Sequence, residues 1–161
     1  MAQELTAADK KAIKDALVRE LEKKIDTIAS QVAQVGPTLT TSNRRVYEES
    51  MNKSIQDLRD QLHHVQAEEF RPLGPQEPIS EGALVKARFE PAGLPSTETW
   101  ILIVTGVPQT RLTYKGHEIH IGAGNFGYGG SLLGLRAGES SHVFGDGRSI
   151  PDYRAEVLNV L

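Results

Sequence analysis

The chain has 161 residues, with 18 Lys and Arg against 21 Asp and Glu, a formal net charge of −3. Residues 1–75 hold 11 Lys/Arg and 12 Asp/Glu and the remainder hold 7 and 9, so neither half is basic and a net-basic nucleic-acid surface is not indicated. There is no cysteine, which excludes disulfides and thiolate metal sites; the charged start has no secretory apolar stretch and no segment approaches the roughly 20 apolar residues of a membrane span, so a cytoplasmic protein is expected.

In chain order, residues 6–35 read as one helix. Thr6 is a candidate N-cap, with Asp9 three residues on in the manner of a capping box. Apolar residues follow at Leu17, Leu21, Ile25, Ile28, Val32 and Val35. Steps of mostly three and four make a narrow coiled-coil seam and not a broad core stripe. Gly36-Pro37 ends the helix, because proline cannot donate to the ladder and disfavours helix at the residue before it. A second helix is expected from about Asn43 to Phe70, with Met51, Ile55, Leu58, Leu62 and Val65 as its seam. Val32 with Met51, Ile28 with Ile55, Ile25 with Leu58 and Leu21 with Leu62 have residue numbers that add to 83 in every pair. A constant sum is what the two arms of an antiparallel hairpin require. It places the fold-back centre at Thr41/Ser42 and gives a hairpin on the order of 42 Å long. Two helices of a compact bundle are the alternative, but no third long helix is there to cover them.

Pro72-Leu73-Gly74-Pro75-Gln76-Glu77-Pro78 is a short, stiff linker, since its prolines exclude helix. Beyond it the period changes. Ala83–Phe89, Thr99–Thr105, Glu118–Ile121, His142–Phe144 and Tyr153–Val160 are short, rich in β-branched or aromatic residues, and separated by Gly and Pro. They predict five strands of a mainly antiparallel sheet, with one short helical turn over Gly129–Leu135 before the Gly138-Glu139 turn. The fold class is α+β, in three parts: a coiled-coil hairpin over 1–71, a linker over 72–78 and a β-rich globular domain over 79–161.

Several stretches of the sequence are similar to a known family. Leu132-Leu133-Gly134-Leu135-Arg136-Ala137-Gly138-Glu139 resembles the "LLGKKVGD" stretch of the Gre-type bacterial transcript elongation factors. Glu98-Thr99-Trp100-Ile101-Leu102-Ile103-Val104 looks like their "E-x-x-x-x-I-V" strand. Asp146-Gly147-Arg148 followed by Tyr153–Val160 resembles their closing "P-x-G-x-x-x-Y-x-I-x-x-I", and Leu5-Thr6 with Leu17–Leu21 sits where the family has "LT…L..EL". The resemblance implies an FKBP-like globular domain and a partner, bacterial RNA polymerase. It implies that the coiled coil enters the polymerase's secondary channel while the globular domain docks on the channel rim. In cleaving members of the family, acidic residues at the hairpin tip help hold a second Mg²⁺, a hard cation that takes oxygen ligands.

The sequence departs from that pattern at the tip. Where the cleaving family reads "GDLxENAEY", this chain has Gly36-Pro37 and then Thr38, Leu39, Thr40, Thr41, Ser42, Asn43, Arg44 and Arg45, with no Asp or Glu. The nearest carboxylates, Glu48 and Glu49, are already on the second helix. Neutral hydroxyls do not offset dehydration of Mg²⁺ as carboxylates do, and the two arginines repel a cation. The expectation is therefore channel occupancy that modulates or inhibits transcription without RNA cleavage, with no catalytic residue, metal or cofactor. A second departure replaces the family's "SPLG" with Phe126-Gly127-Tyr128-Gly129. Phe126, Tyr128 and Ser131 are accordingly the candidate rim-docking residues. A monomer is expected, with no sequence-specific nucleic-acid binding of its own.

Other signals are weaker. Gly122-Ala123-Gly124 with Gly127 lacks the Lys-Ser/Thr and the long following helix of a phosphate-binding loop. His63 and His64 are adjacent and cannot share one helix face, and His117 and His120 on one strand face opposite sides. The runner-up function is a proline isomerase or chaperone of FKBP type with a helical hairpin. It would need an aromatic-lined pocket, which only Phe89, Trp100, Phe126, Tyr128, Phe144 and a few further tyrosines could supply.

Overall fold

In the computed structural model, residues 3–107, 110–122, 131–145, 147–148 and 151–161 are described. The elements run α1 Asp9–Val35, a 3-10 turn Gly36–Thr38, α2 Thr41–Ala67, then β1 Leu84–Pro91, β2 Thr97–Ile103, β3 Thr110–Tyr114, β4 His117–Gly122, β5 Ser140–Val143 and β6 Tyr153–Val160. The architecture is α+β. The chain divides into two units, Lys14–Glu68 and the combination of Met1–Ile13 with Glu69–Leu161.

The first unit is the hairpin. The helices α1 and α2 each have 27 residues, about 40 Å apiece, and the first five residues of α1, Asp9–Ile13, belong to the other unit. Lys14 Nζ on α1 donates to the carbonyls of Gln66 at 3.2 Å and Glu68 at 2.8 Å, and Ile28 and Leu58 line one shallow groove, so the two helices run antiparallel. Burial follows the seam. Leu17, Leu21 and Val65 are buried, while Ile25, Ile28, Val32, Met51, Ile55, Leu58 and Leu62 are only half-buried. Two helices alone cannot enclose a residue on all sides. The fold-back itself sits earlier than the sequence sum places it: the turn is Gly36–Thr40 and α2 has already begun at Thr41. Pro37, fixed near helical φ, carries the chain directly into a 3-10 turn, and extended Thr40 (φ −63, ψ 158) then starts the next helix. The far end of α2 is Ala67 and not Phe70, because Glu68 is extended at ψ 129.

The second unit is built on one six-stranded sheet of order β3-β4-β2-β1-β6-β5. All neighbours pair antiparallel except β2 with β4, which are parallel. The expected five strands are present with shifted ends, and β3 is a sixth. It pairs with β4 through the two-residue turn Lys115-Gly116, where both φ are positive (49 and 78), the geometry whose twist matches a hairpin. Ser131–Gly134 forms a turn and no helix; Gly129 lies outside the described residues.

The two faces of the sheet differ. On one, Val85, Ala87, Phe89, Ile101, Ile103, Tyr153, Ala155 and Val157 pack with Ile79 and Leu132. On the other, by strand alternation and register, lie Trp100, Leu102, Ile119 and Ile121, also buried. Residues 3–13 are anchored along this second face. Asp9, 5 % exposed, accepts hydrogen bonds from the Thr6 amide at 2.8 Å, the Thr6 hydroxyl at 3.1 Å and the Tyr114 hydroxyl at 3.0 Å, and pairs with Lys115 Nζ at 2.8 Å. The acid half of the expected capping box is thus made, but the Thr6 hydroxyl donates to the carboxylate instead of capping the helix. Lys10, 1 % exposed, donates to the carbonyls of Arg71 at 2.7 Å and Leu161 at 2.8 Å. Burial first, then the charge of Arg71, push its ammonium down to about 8.

Candidate functional site: the hairpin tip

The tip is positioned by α1 ending at Val35 and by the close passage of α2 across Gly36. Gly36 is buried, and a methyl group built on it would lie 3.2 Å from Glu48 Oε1 and 3.9 Å from Arg44 Nε. A larger residue there would displace the Arg44–Glu48 pair. The Thr38 hydroxyl donates to the Val35 carbonyl at 2.6 Å, closing the end of α1. Leu39 is half-buried, and Thr38, Thr40, Thr41, Ser42, Asn43, Arg44 and Arg45 are exposed. The structure therefore brings all eight tip residues into one turn and the opening of one helix.

The electrostatics of the tip are local. Arg44 Nε meets Glu48 Oε1 at 2.8 Å and Arg45 Nε meets Glu49 Oε1 at 3.1 Å, both i,i+4 pairs on the exposed surface of α2. The arginines and the nearest carboxylates thus neutralise one another. Pairs of this exposure are worth at most about 1 kcal/mol, so either arginine can exchange its partner for an incoming anion. No acid lies in the first turn of α2, and none lies between Gly36 and Arg45. The Arg-Arg-x-x-Glu-Glu spacing of these pairs is legible in the sequence.

Of the candidate docking residues, Ser131 is half-buried in the Ser131–Gly134 turn. That turn is fastened to the segment before β1 by Gly134 N donating to Ile79 O at 2.9 Å and Ile79 N donating to Leu135 O at 2.7 Å. Phe126 and Tyr128 lie outside the described residues. The described aromatics among those named for an isomerase pocket, Phe89, Trp100 and Phe144, do not gather at one place. Phe89 packs edge-on to Tyr153 within the core, Trp100 is buried on the other face against His117, and Phe144 is 80 % exposed. The two strand histidines point to opposite faces as expected. His117 Nε2 donates to the Gln3 carbonyl, and His120 Nε2 donates to Glu118 at 2.9 Å.

No protein-family model and no curated protein matches the sequence. Among solved structures, the chain is similar to the GreA factor homolog 1 (Gfh1) protein of Thermus thermophilus, at 12 % identity over 93 % of each chain and a TM-score of 0.36. It is similar to Thermus aquaticus Gfh1 at 12 % identity, over 95 % of this chain and 94 % of that one, with a TM-score of 0.38. A structure described as the transcription factor Gfh1 is similar at 15 % identity over 99 % of both, with a TM-score of 0.37. Among the described residues, no helix is long and apolar enough to cross a membrane.

Proposed function

We propose that this protein is a Gre-type factor that binds bacterial RNA polymerase, places its hairpin in the secondary channel, and modulates or inhibits transcription without stimulating RNA cleavage. The observation that carries the reading is a hairpin tip free of carboxylates, in a chain whose motifs resemble that family from Leu5 to Val160. In channel occupancy the long hairpin supplies reach. The hydroxyl-rich turn Thr38–Ser42 supplies bulk without a metal site, and hinders nucleotide entry or the motion of active-site elements. Arg44 and Arg45 exchange their exposed glutamate partners for a phosphate or for a carboxylate of the polymerase. The protein brings no catalytic group and no cofactor, and it acts as a monomer in the cytoplasm.

Two experiments bear on this. Pull-down or cross-linking with core polymerase tests the partner: retention is expected, and its absence would remove the reading. A backtracked elongation complex supplied with Mg²⁺ and purified protein tests the chemistry. RNA synthesis should fall, with no short 3′ fragments above the polymerase's intrinsic rate. Robust fragment release would overturn the non-cleaving assignment. Inhibition that survives deletion of 37–45 would move the effect from the tip to the rest of the molecule.

A further inference from the structure

The chain has no cysteine and two methionines, Met1 and Met51. Met51 therefore holds the one sulfur atom among the described residues. It stands in the hairpin seam, where the constant pairing sum sets it level with Val32. The other seam residues, Leu17, Leu21, Ile25, Ile28, Val32 and Val35 on α1 and Ile55, Leu58, Leu62 and Val65 on α2, are all Leu, Ile or Val. A thioether fills such a position as readily as they do, but it alone can take up an oxygen atom.

The sulfur is not sealed off. Met51, Val32, Ile28 and Ile55 are all half-buried, and a groove lined in part by Thr27, Ile28, Gln31 and Leu58 lies along this stretch of the seam. Toward the fold-back the seam thins. Between Thr41 and Ser50 the apolar side chains are Val46, 66 % exposed, and Tyr47, half-buried. Tyr47 precedes Met51 by four residues on one helix face, the spacing at which a ring and a thioether meet. Arg44 and Arg45 pair with Glu48 and Glu49 within α2 itself, so these ion pairs do not tie that helix to α1. Met51 and Tyr47 thus supply the apolar hold on the opening turns of α2.

We propose that Met51 is an oxidation site that sets how firmly the hairpin tip is held. A peroxide delivers one oxygen atom to Sγ. The O–O bond breaks, a sulfur lone pair forms the S–O bond, and hydrogen peroxide leaves as water, so the thioether loses two electrons and the peroxide gains them. A dithiol reductant reverses the step: the oxygen departs as water and the two thiols become a disulfide. The sulfoxide is polar and accepts hydrogen bonds, and Val32 and Ile55 offer it no donor. It turns toward water, and the seam loses its last aliphatic contact before the fold-back. The opening turns of α2 then fray from the end of α1. In the polymerase channel, fraying would withdraw the bulk that Thr38–Ser42 provides, and oxidation would relieve inhibition. That consequence rests on the proposed function, whereas the loosening does not.

The test treats the full chain with hydrogen peroxide under conditions that oxidise free methionine, and maps Met1 and Met51 separately by mass spectrometry of peptides. Met51 should gain one oxygen. Amide hydrogen exchange across residues 30–51 should then accelerate roughly tenfold, the effect of one unpaired polar group in a half-open apolar site, while exchange across 84–103 stays unchanged. Met51→Leu conserves the volume of the seam and retains Met1, and peroxide should leave its exchange unaltered. Methionine sulfoxide reductases for both epimers, supplied with dithiothreitol, should restore slow exchange. Four results would overturn the proposal: a Met51 that stays reduced, an oxidised Met51 with unaltered exchange, equal acceleration in Met51→Leu, or acceleration that the reductases do not reverse. In the transcription assay the oxidised protein should inhibit less than the repaired one. Equal inhibition by a protein whose tip exchange has accelerated would overturn the link to transcription and leave the oxidation site standing.

Discussion

The two units are held together by different means. In the sheet unit a dozen residues form one cluster of buried side chains, and a second layer lies on the opposite face around Trp100 and Ile119. In the hairpin unit, Lys14–Glu68, only Leu17, Leu21, Val65 and Gly36 are buried, and the seam toward the tip is half open. A two-helix element gets most of its cohesion from the backbone ladder and from a thin apolar stripe. It is long, but each of its side chains counts for little. The sheet concentrates its stability in few positions, whereas the hairpin spreads it.

Substitutions should separate these regimes, and the molecule provides its own probe for each. The single tryptophan, Trp100, is buried in the sheet unit, so its fluorescence follows that unit, while helical circular dichroism is dominated by the hairpin. Ile101→Ala, in the middle of the core cluster, should cost about 2–5 kcal/mol by urea titration of Trp100 fluorescence. A loss below about 1 kcal/mol would mean that the core collapses around the gap.

Next in size is Asp9→Asn, expected to cost about 2–3 kcal/mol, because it removes the charge that pairs with Lys115 and puts an NH2 donor in place of one of the two oxygens that accept from Thr6 on one side and from Tyr114 and Lys115 on the other. The wild-type carboxyl is held well below the usual carboxylate range, chiefly by the Lys115 ammonium and then by the Thr6 amide. Its contribution is therefore complete above about pH 4, the range of an unfolded aspartate, and lost as pH falls below it. In Asp9→Asn the acid limb of stability against pH should be shallower. Lys10 gives a slope of the same sign in a higher pH range, but there it is a buried charge whose loss relieves the fold. Its folded-state value of about 8 lies below the ordinary lysine value of about 10.4, so the folded protein sheds that proton first. Stability should rise between those two limits, and Lys10→Met should abolish the rise.

Leu58→Ala in the open part of the seam should cost only about 1–2 kcal/mol, less than the core substitution, since a half-buried site leaves little cavity. The loss should register in the helical signal. A cost equal to that of Ile101→Ala would erase the distinction drawn between the units. Smallest of all, Arg45→Ala removes an exposed i,i+4 pair and should change stability by no more than about 0.5 kcal/mol. A larger loss would mean that the tip pairs act as structure.

The hairpin was largely legible in the sequence because its determinants are local and repeat. Steps of three and four from Leu17 to Val35, and the constant sum across the pairs, mark the seam on their own. The position of the turn was not legible to the residue, since the sum fixes the pairing and not where the chain leaves it. In the sheet, strands that alternate buried apolar or aromatic residues with more exposed ones, such as Tyr153–Val160, were evident. β3 was not, because Thr110–Tyr114 is short, alternates exposed and half-buried residues, and turns on Lys-Gly instead of the familiar Asn-Gly or Asp-Gly. Long-range links were beyond reach. Nothing around Asp9 announces Tyr114, 105 positions away, and nothing marks Lys10 as the residue that meets both Arg71 and Leu161. At the candidate site the absence of carboxylates could be read directly, and the pairing of Arg44 and Arg45 with Glu48 and Glu49 follows from helical spacing.

The placement of β6 between β1 and β5 has a consequence for the order in which the molecule can be made. A strand that is late in the chain occupies the interior of the sheet, so β5 has no neighbour and β1 keeps an open side until residues 153–160 have left the ribosome. The hairpin needs nothing beyond Glu68 and can close while the rest is still being translated. During synthesis the half-finished sheet therefore has β5 unpaired and β1 paired with β2 alone, while the pair of helices is already folded. A nascent chain arrested before Tyr153 should be cut by protease throughout residues 79–145 and spared within 14–68.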